Sequence, residues 1–465
     1  MPKRNNFGIL EFIHKYEIMR HFLSLLILLS SCLHVVQAQT IAWEQWDLQR
    51  CIDHAIEHNI NIKQQETNLQ YYENQLKQSK YNRLPGINSS LSNRFSLGRS
   101  LQSDNTYADY NSNVSSGSIN ADLTLWNGLS VTRSIRKADF DLKAGLQDMQ
   151  KAKDDIIMSV AASYLQILFD EELLQVAKDQ MEVTRLQINS TKKLIESRVA
   201  ARGSLLEIEA QLAREELNIV NQENQLNLDY LNLYQLLELP EPKRFKIAKP
   251  VLPVISANKS LLNSIAVFET AVDLRPEVKS ASLKLESSKT QVDIARSNLY
   301  PVLSMGFNYN NFYNNKYSDM TGKKVPLSEQ LGNNDTYGVG LNLSIPVFNK
   351  FQARTNIKNA ELQVNAGELE LQNTKNILRK EIEQAHSNAV AALKKYMAGT
   401  KLVESETEAF RYTQEKFNAG LINPVDYNLS KNNLMKASSE LVQAKYDYIF
   451  RTKILDFYNG IPIKL

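Results

Sequence analysis

Residues 336–348, TYGVGLNLSIPVF, impose the tightest constraint on how this chain folds. In steps of two, Tyr337, Val339, Leu341, Leu343, Ile345 and Val347 are apolar, whereas Gly338, Gly340, Asn342 and Ser344 are small or polar. A period of two places the two sets on opposite faces of a strand. The apolar face is too regular for a loop, and the other face is too polar for a buried core. A wall with lipid on one side and water on the other suits both.

The rest of the 465 residues contrasts with that strand. Only 16 Gly, with much Leu, Gln, Asn, Glu and Lys, reads as helical rods rather than a conventional sheet protein. Charges nearly cancel, at 54 Lys plus Arg against 51 Asp plus Glu, and no basic tract stands out, so nucleic acid is not an expected partner. No serine–histidine–acid set, Walker sequence or Rossmann glycine pattern occurs, which leaves an enzyme reading without support. Cys51, His54 and His58 follow one another at one-turn spacing, and zinc accepts such ligands. Asp53, Glu57 and Asn59 make the same segment an ordinary polar helix start, so neither a metal nor a cofactor is expected.

The N-terminus reads as a leader. Met19-Arg20-His21 precedes the apolar run FLSLLILLSSCLHVV, which ends at Val36-Gln37-Ala38, a pattern suited to cleavage before Gln39, with Met19 as an alternative start. Leu29-Ser30-Ser31-Cys32 also fits a lipobox, but apolar residues continue past Cys32, which favours cleavage after Ala38. A leader over 1–38 leaves Cys51 as the only cysteine, so no intrachain disulfide is possible.

Along the chain, residues 43–84 read as one helix ended by Pro85-Gly86. Residues 87–97 alternate, 98–113 form a polar loop, and 114–126 alternate again, with Ser118, Asn120 and Asp122 on the polar side. Residues 129–198 contain no Pro, and a helix of that length reaches about 100 Å at about 1.5 Å per residue. A break at 199–204, a return helix over 205–239 and a Pro-rich linker around Pro240, Pro242, Pro250 and Pro253 follow. The series then recurs. It runs as a helix over 271–300 stopped by Pro301, strands over 302–313 and 336–348, a helix over 352–417, a break at 418–424 and a return helix over 425–458. This divides the mature chain into repeats over 39–240 and 271–465 with a linker over 241–270.

Four strands cannot close a barrel, because the smallest membrane barrels use about eight. Open edges in lipid leave backbone groups unsatisfied at several kcal/mol each. Lipid-facing strands therefore require shared closure, and three chains supply twelve strands. Helices about 100 Å long exceed an apolar core about 30 Å thick, so they must project into water, packed as a tube. The fold class expected is mainly α with membrane β.

The duplicated Leu84-Pro85 and Tyr300-Pro301 stops, the exits Leu125-Trp126-Asn127-Gly128 and Pro346-Val347-Phe348-Asn349, and the turn Phe417-Asn418-Ala419-Gly420-Leu421 carry a resemblance. Over residues 41–462 the chain resembles the TolC-type outer membrane efflux proteins. The resemblance implies a homotrimer with a twelve-stranded outer-membrane β-barrel continued by a periplasmic α-helical coiled-coil barrel. It implies a passive exit duct for a tripartite efflux or type I secretion system, joined through a periplasmic adaptor to an inner-membrane pump of RND or ABC type. The rival class is a soluble periplasmic coiled-coil scaffold without a pore, which has no need of apolar faces on four strands.

The resemblance also places a gate and an adaptor-docking tip at the two helix turns, around Arg198, Ala201, Arg202, Glu207, Phe417, Gly420, Asn423 and Asp426. Family members carry an aromatic-x-x-Gly turn followed six residues later by an acid, kept here as Phe417, Gly420 and Asp426 and matched in the first repeat to Arg198, Ala201 and Glu207. The family's closed-gate acid with its Tyr and Arg partners corresponds to Glu207, Phe417 and Ile422, so both partners are lost and Arg198 or Arg202 is expected to pair with a tip acid instead. Glu207 and Asp426 have a second reading as helix-start charges held by the macrodipole. Ser118, Asn120, Asp122, Asn342 and Ser344 are expected to face the lumen, and Phe307, Tyr309, Phe312, Tyr313, Tyr317 and Tyr337 to form an interfacial girdle.

Overall fold

A computed structural model describes residues 44–101, 105–199, 201–239, 245–256 and 262–465. The expected leader over 1–38 with Cys32, and the linker prolines Pro240 and Pro242, lie outside the described residues. The chain divides into two units. In the smaller, β1 (Glu44–Trp46) pairs in parallel with β6 (Phe245–Ile247), and the Trp46 and Phe245 rings meet edge to face at 5.3 Å.

The larger unit carries one element series twice. The first copy is α1 (Leu48–His58), α2 (Ile60–Tyr81), β2 (Gly86–Ser96), β5 (Ser112–Trp126), α3 (Ser130–Glu196) and α4 (Arg202–Leu237). The second is α5 (Ser264–Leu274), α6 (Pro276–Ser297), β7 (Val302–Asn314), β8 (Thr336–Ser344), α8 (Gln352–Asn418) and α9 (Pro424–Tyr458). Corresponding helices match in length, at 11 residues for α1 and α5, 22 for α2 and α6, and 67 for α3 and α8.

Two expected helices are each split. The helix expected over 43–84 breaks at Asn59, which stays extended while its side chain accepts from the Asn61 N–H at 2.9 Å and donates to the Leu236 carbonyl at 3.0 Å. That is the capping role for which Asn is suited. The helix expected over 271–300 breaks at Arg275, because Pro276 drives the preceding residue out of the helical region. Its first half, α5, and the strand β6 occupy part of the segment expected as a linker over 241–270.

The sheet order is β2-β5-β7-β8, with each neighbouring pair antiparallel. β8 stops at Ser344 rather than at Phe348, since Pro346 offers no ladder donor. Both polar loops carry short elements of their own. β3 (Arg99–Leu101) pairs with β4 (Tyr107–Asp109) in the first. In the second, α7 (Leu327–Asn333) is tied to the end of β7 by buried Gln330, which accepts from the Asn314 N–H and donates to the Asn314 and Val325 carbonyls at 2.7–3.0 Å.

Each long helix begins after two consecutive left-handed residues, Gly128-Leu129 and Lys350-Phe351. Gly128 is required by space as well, because a Cβ there would lie 3.0 Å from Tyr300 Cβ. Lys350 shows that the same backbone accepts a side chain where no neighbour crowds it. α3 packs along α4, α6 and α2, and α8 along α9 and α6. Small residues set these distances. A Cβ on Gly145 would meet the Tyr72 ring at 2.8 Å, and Ala385 and Ala389 bring α8 close to α5 and α9 in a core with Val267, Ile382 and Leu455.

Candidate functional site

The strand register sorts the sheet into two faces. Rows across β2, β5, β7 and β8 read Asn88, Asn120, Asn308, Gly338 and Gly86, Asp122, Gly306, Gly340 on one face. They read Ile87, Ala121, Phe307, Val339 on the other. Ser118 and Asn120 join the polar face through Ser90–Ser118 hydroxyl contact at 2.8 Å and the Asn120 amide donating to Ser118 at 3.3 Å. Asn342 lies opposite Ser304, and Ser344 opposite Val302. Asp122 sits between glycines, which leaves its carboxylate open on that face.

Among the described residues nothing covers the apolar face. Leu91 is 88% and Leu341 70% exposed, far beyond what scattered surface leucines explain. Among the described residues β2 and β8 each offer an unpaired edge. Among the described residues no helix is long and apolar enough to cross a membrane.

At the opposite ends of the long helices lie the two turns, and their backbones superpose by hydrogen-bond pattern. Gly420 has φ +73°, with its N–H on the Phe417 carbonyl and the Leu421 N–H on the Lys416 carbonyl, both at 2.9 Å. Arg198 has φ +58°, with its N–H on the Ile195 carbonyl at 3.0 Å and the Val199 N–H on the Leu194 carbonyl at 2.8 Å. Both are left-handed closures of a helix C-terminus. Arg198 is therefore the counterpart of Gly420, Ile195 of Phe417, Ala201 of Asn423 and Ser204 of Asp426. The expected match of Arg198, Ala201 and Glu207 to Phe417, Gly420 and Asp426 is three residues out of register.

That shift changes the surroundings of the residues expected at the gate. Phe417 is buried, 6% exposed, in a cluster with Ile188, Ile208 and Tyr427, and Ile422 packs against its rim. The Phe417 and Tyr427 rings lie 4.8 Å apart. Glu207, Arg198 and Arg202 are exposed, and among the described residues none of them forms an ion pair or side-chain hydrogen bond. The structure does not bring Glu207 to Phe417, nor Arg198 or Arg202 to an acid, within one chain. Glu207 is also no helix-start charge, since α4 has no acid in its first turn. Asp426 is one: it lies in the first turn of α9, its N–H donating to the capping Asn423 side chain at 2.9 Å.

Behind this cluster is a charge group that the sequence does not announce. Lys431 Nζ lies 2.9 Å from Glu215 Oε1, the Thr184 hydroxyl donates to Glu215 and accepts from Lys431, and Gln211 donates to Glu215 at 2.9 Å. These residues come from α3, α4 and α9, so the group ties one hairpin to the other. Burial pulls the Lys431 ammonium below its ordinary range against the opposing pull of Glu215, and burial followed by Glu215 pushes the Tyr427 phenol up to about 12. In sequence, Lys431 and Glu215 look like any other charges on polar helices.

The remaining candidates do not converge on either region. Cys51 is buried in α1, and the His54 and His58 rings stack on each other at 4.1 Å. Among the described residues no group of three or more His, Cys, Asp and Glu is placed to hold a metal ion.

Comparison with known proteins agrees with this geometry. The family profile described as outer membrane efflux protein matches residues 51–238 and 267–455. The toxin and drug export protein A of Aggregatibacter actinomycetemcomitans is 22% identical over 353 residues, covering 76% of this chain and 74% of that one. The outer membrane protein TolC of Vibrio cholerae is 24% identical over 318 residues, covering 66% and 68%. The crystal structure of the outer membrane protein VceC, also from Vibrio cholerae, aligns with a TM-score of 0.74 at 16% identity, over 90% of this chain and 97% of that one. With both copies of its element series matched by the profile, this chain belongs to the outer membrane efflux protein family.

Proposed function

We propose that three copies of this chain close a twelve-stranded barrel in the outer membrane and continue into the periplasm as a helical tube, forming a passive exit duct. The observation that carries this reading is the four-stranded sheet with two unpaired edges and an uncovered apolar face, joined to two 67-residue helices. Unpaired edges in lipid are too costly to leave open. β2 and β8 run antiparallel to one another through the sheet order, so β8 of one copy can continue onto β2 of the next.

Ser118, Asn120, Asp122, Asn342 and Ser344 then line the barrel lumen, a wide and mostly uncharged exit. The turns at Arg198 and Gly420 form the periplasmic tip, where a periplasmic adaptor docks and an inner-membrane pump of RND or ABC type supplies the energy. Residues 1–38 act as the leader, removed after Ala38, and 39–240 and 271–465 form the two repeats. The relatives named above support export as the task. A pore-less scaffold would have no use for the exposed apolar face.

Membrane fractionation, native mass spectrometry and planar bilayers test the proposal together. The expected result is an outer-membrane protein of three chains that conducts ions. A soluble monomer without conductance would sink it.

A further inference from the structure

Asp170 on α3 and Asp229 on α4 are 3% and 7% exposed, and their carboxyl groups hydrogen-bond each other. Each is held by a glutamine one turn earlier on its own helix. Gln166 donates to Asp170 at 2.9 Å, and Gln225 donates to Asp229 at 3.2 and 3.3 Å. Among the described residues no ion pair reaches either carboxyl. Two carboxylates this close, out of water and without a cation, cannot both stay ionised.

The charged groups on the packed elements are committed elsewhere. On α3, Glu171 accepts from Tyr230 of α4 at 2.9 Å and pairs with Lys249 at 3.0 Å, and Glu172 pairs with Lys445 of α9 at 2.9 Å. Tyr446 of α9 also bonds to Glu172. On α1, His54 and His58 stack together, and His58 lies 4.0 Å from Glu57.

The helix pairing itself does not need this arrangement. The start of each long helix and each turn are 222 residues apart between the copies, which places Ala392 and Arg451 where Asp170 and Asp229 stand. The α8–α9 hairpin holds the same geometry with no carboxyl pair.

We infer that Asp170 and Asp229 form a proton-sharing clamp, which holds α3 against α4 while one proton is retained and loosens that hairpin when it leaves. The clamp does not depend on what the duct carries. Burial, and then the bond to Asp229, raise the Asp170 carboxyl to about 7 from its ordinary value near 3.8. The folded hairpin thus keeps a proton that an unfolded one gives up. Its stability falls as pH rises from about 4 to about 7 and is level above that.

Amide hydrogen exchange on the detergent-solubilised full chain, corrected for the intrinsic pH dependence, reads this directly. In the wild type, opening of α3–α4 around residues 166–174 and 225–233 should rise by up to about tenfold per pH unit between pH 5 and 7. In Asp170→Asn, whose amide replaces the shared proton, the same amides should lose that slope, and the α8–α9 amides near Ala392 should show none in either protein. An equal slope in wild type and variant overturns the inference. If Asp170→Asn does not assemble, Asp229→Asn serves the same comparison. Infrared spectra of the wild type give a further check, since a protonated-carboxyl band present at pH 5 must vanish by pH 9. A spectrum without that band overturns the clamp.

Discussion

Replacing Lys431 by methionine tests how the two hairpins are held together behind the tip. The Lys431 and Glu215 side chains are 1% and 7% exposed, and their charged atoms lie 2.9 Å apart. Methionine fills much of the same space but leaves Glu215 buried, with Thr184 and Gln211 as donors and no cation. Breaking a buried pair in this way costs about 3–5 kcal/mol. The matched double change, Lys431→Met with Glu215→Leu, removes the orphaned charge and should restore most of that, because an apolar replacement of a buried pair is about neutral or stabilising. Hydrogen exchange at α3, α4 and α9 near the turns is the assay, since unfolding of a chain this long need not be two-state. At about 1.4 kcal/mol per factor of ten, Lys431→Met should raise local opening by about two to four powers of ten. The reasoning fails if the single variant changes opening by less than about threefold. It fails equally if the double variant is as loose as the single.

Phe417→Ala should cost about 3–5 kcal/mol by emptying the cluster of Ile188, Ile208 and Tyr427, and should raise the resting conductance of single channels in bilayers. Asn423→Ala should cost about 1 kcal/mol, measured by exchange in the first turn of α9, because the Asp426 N–H loses its cap. Leu341→Arg should lose about 2–4 kcal/mol and lower the amount of protein assembled in the outer membrane, whereas Asn342→Arg on the opposite face should assemble normally. Gly145→Leu should cost about 1–3 kcal/mol in thermal unfolding, since the Tyr72 ring occupies the space its side chain needs.

The architecture was legible where side-chain pattern and backbone demand coincide. Alternation at Tyr337, Val339 and Leu341 marks a two-faced strand, and Pro85 and Pro301 mark helix ends, because each residue type acts through a local rule. The breaks at Asn59 and Arg275 obey rules just as local, an Asn cap and a residue before Pro276, but both lie inside long polar stretches that otherwise read as continuous helix. The tip register was less accessible. A left-handed closure is usually signalled by glycine, as at Gly420, whereas Arg198 holds the same conformation with a long side chain and no compositional mark. Sequence spacing therefore places Arg198, Ala201 and Glu207 three positions away from their structural counterparts. The buried groups, Thr184 with Glu215 and Lys431, and Asp170 with Asp229, depend on which face of each helix meets which neighbour. That face is set by assembly of the hairpins, not by any one stretch of chain.

The equal length of α3 and α8 bears on how such a chain tolerates change. Staves that share one rim and one tip must stay the same height. A single inserted residue in α3 would lower everything beyond it by about 1.5 Å and turn it by about 100°, facing Thr184 away from Lys431. The two copies do differ by six residues, and the whole difference falls between paired strands, where 97–111 in the first copy corresponds to 315–335 in the second. Length variation among chains of this design should therefore accumulate in the loops beyond the sheet, while the helical shafts drift in composition at constant count.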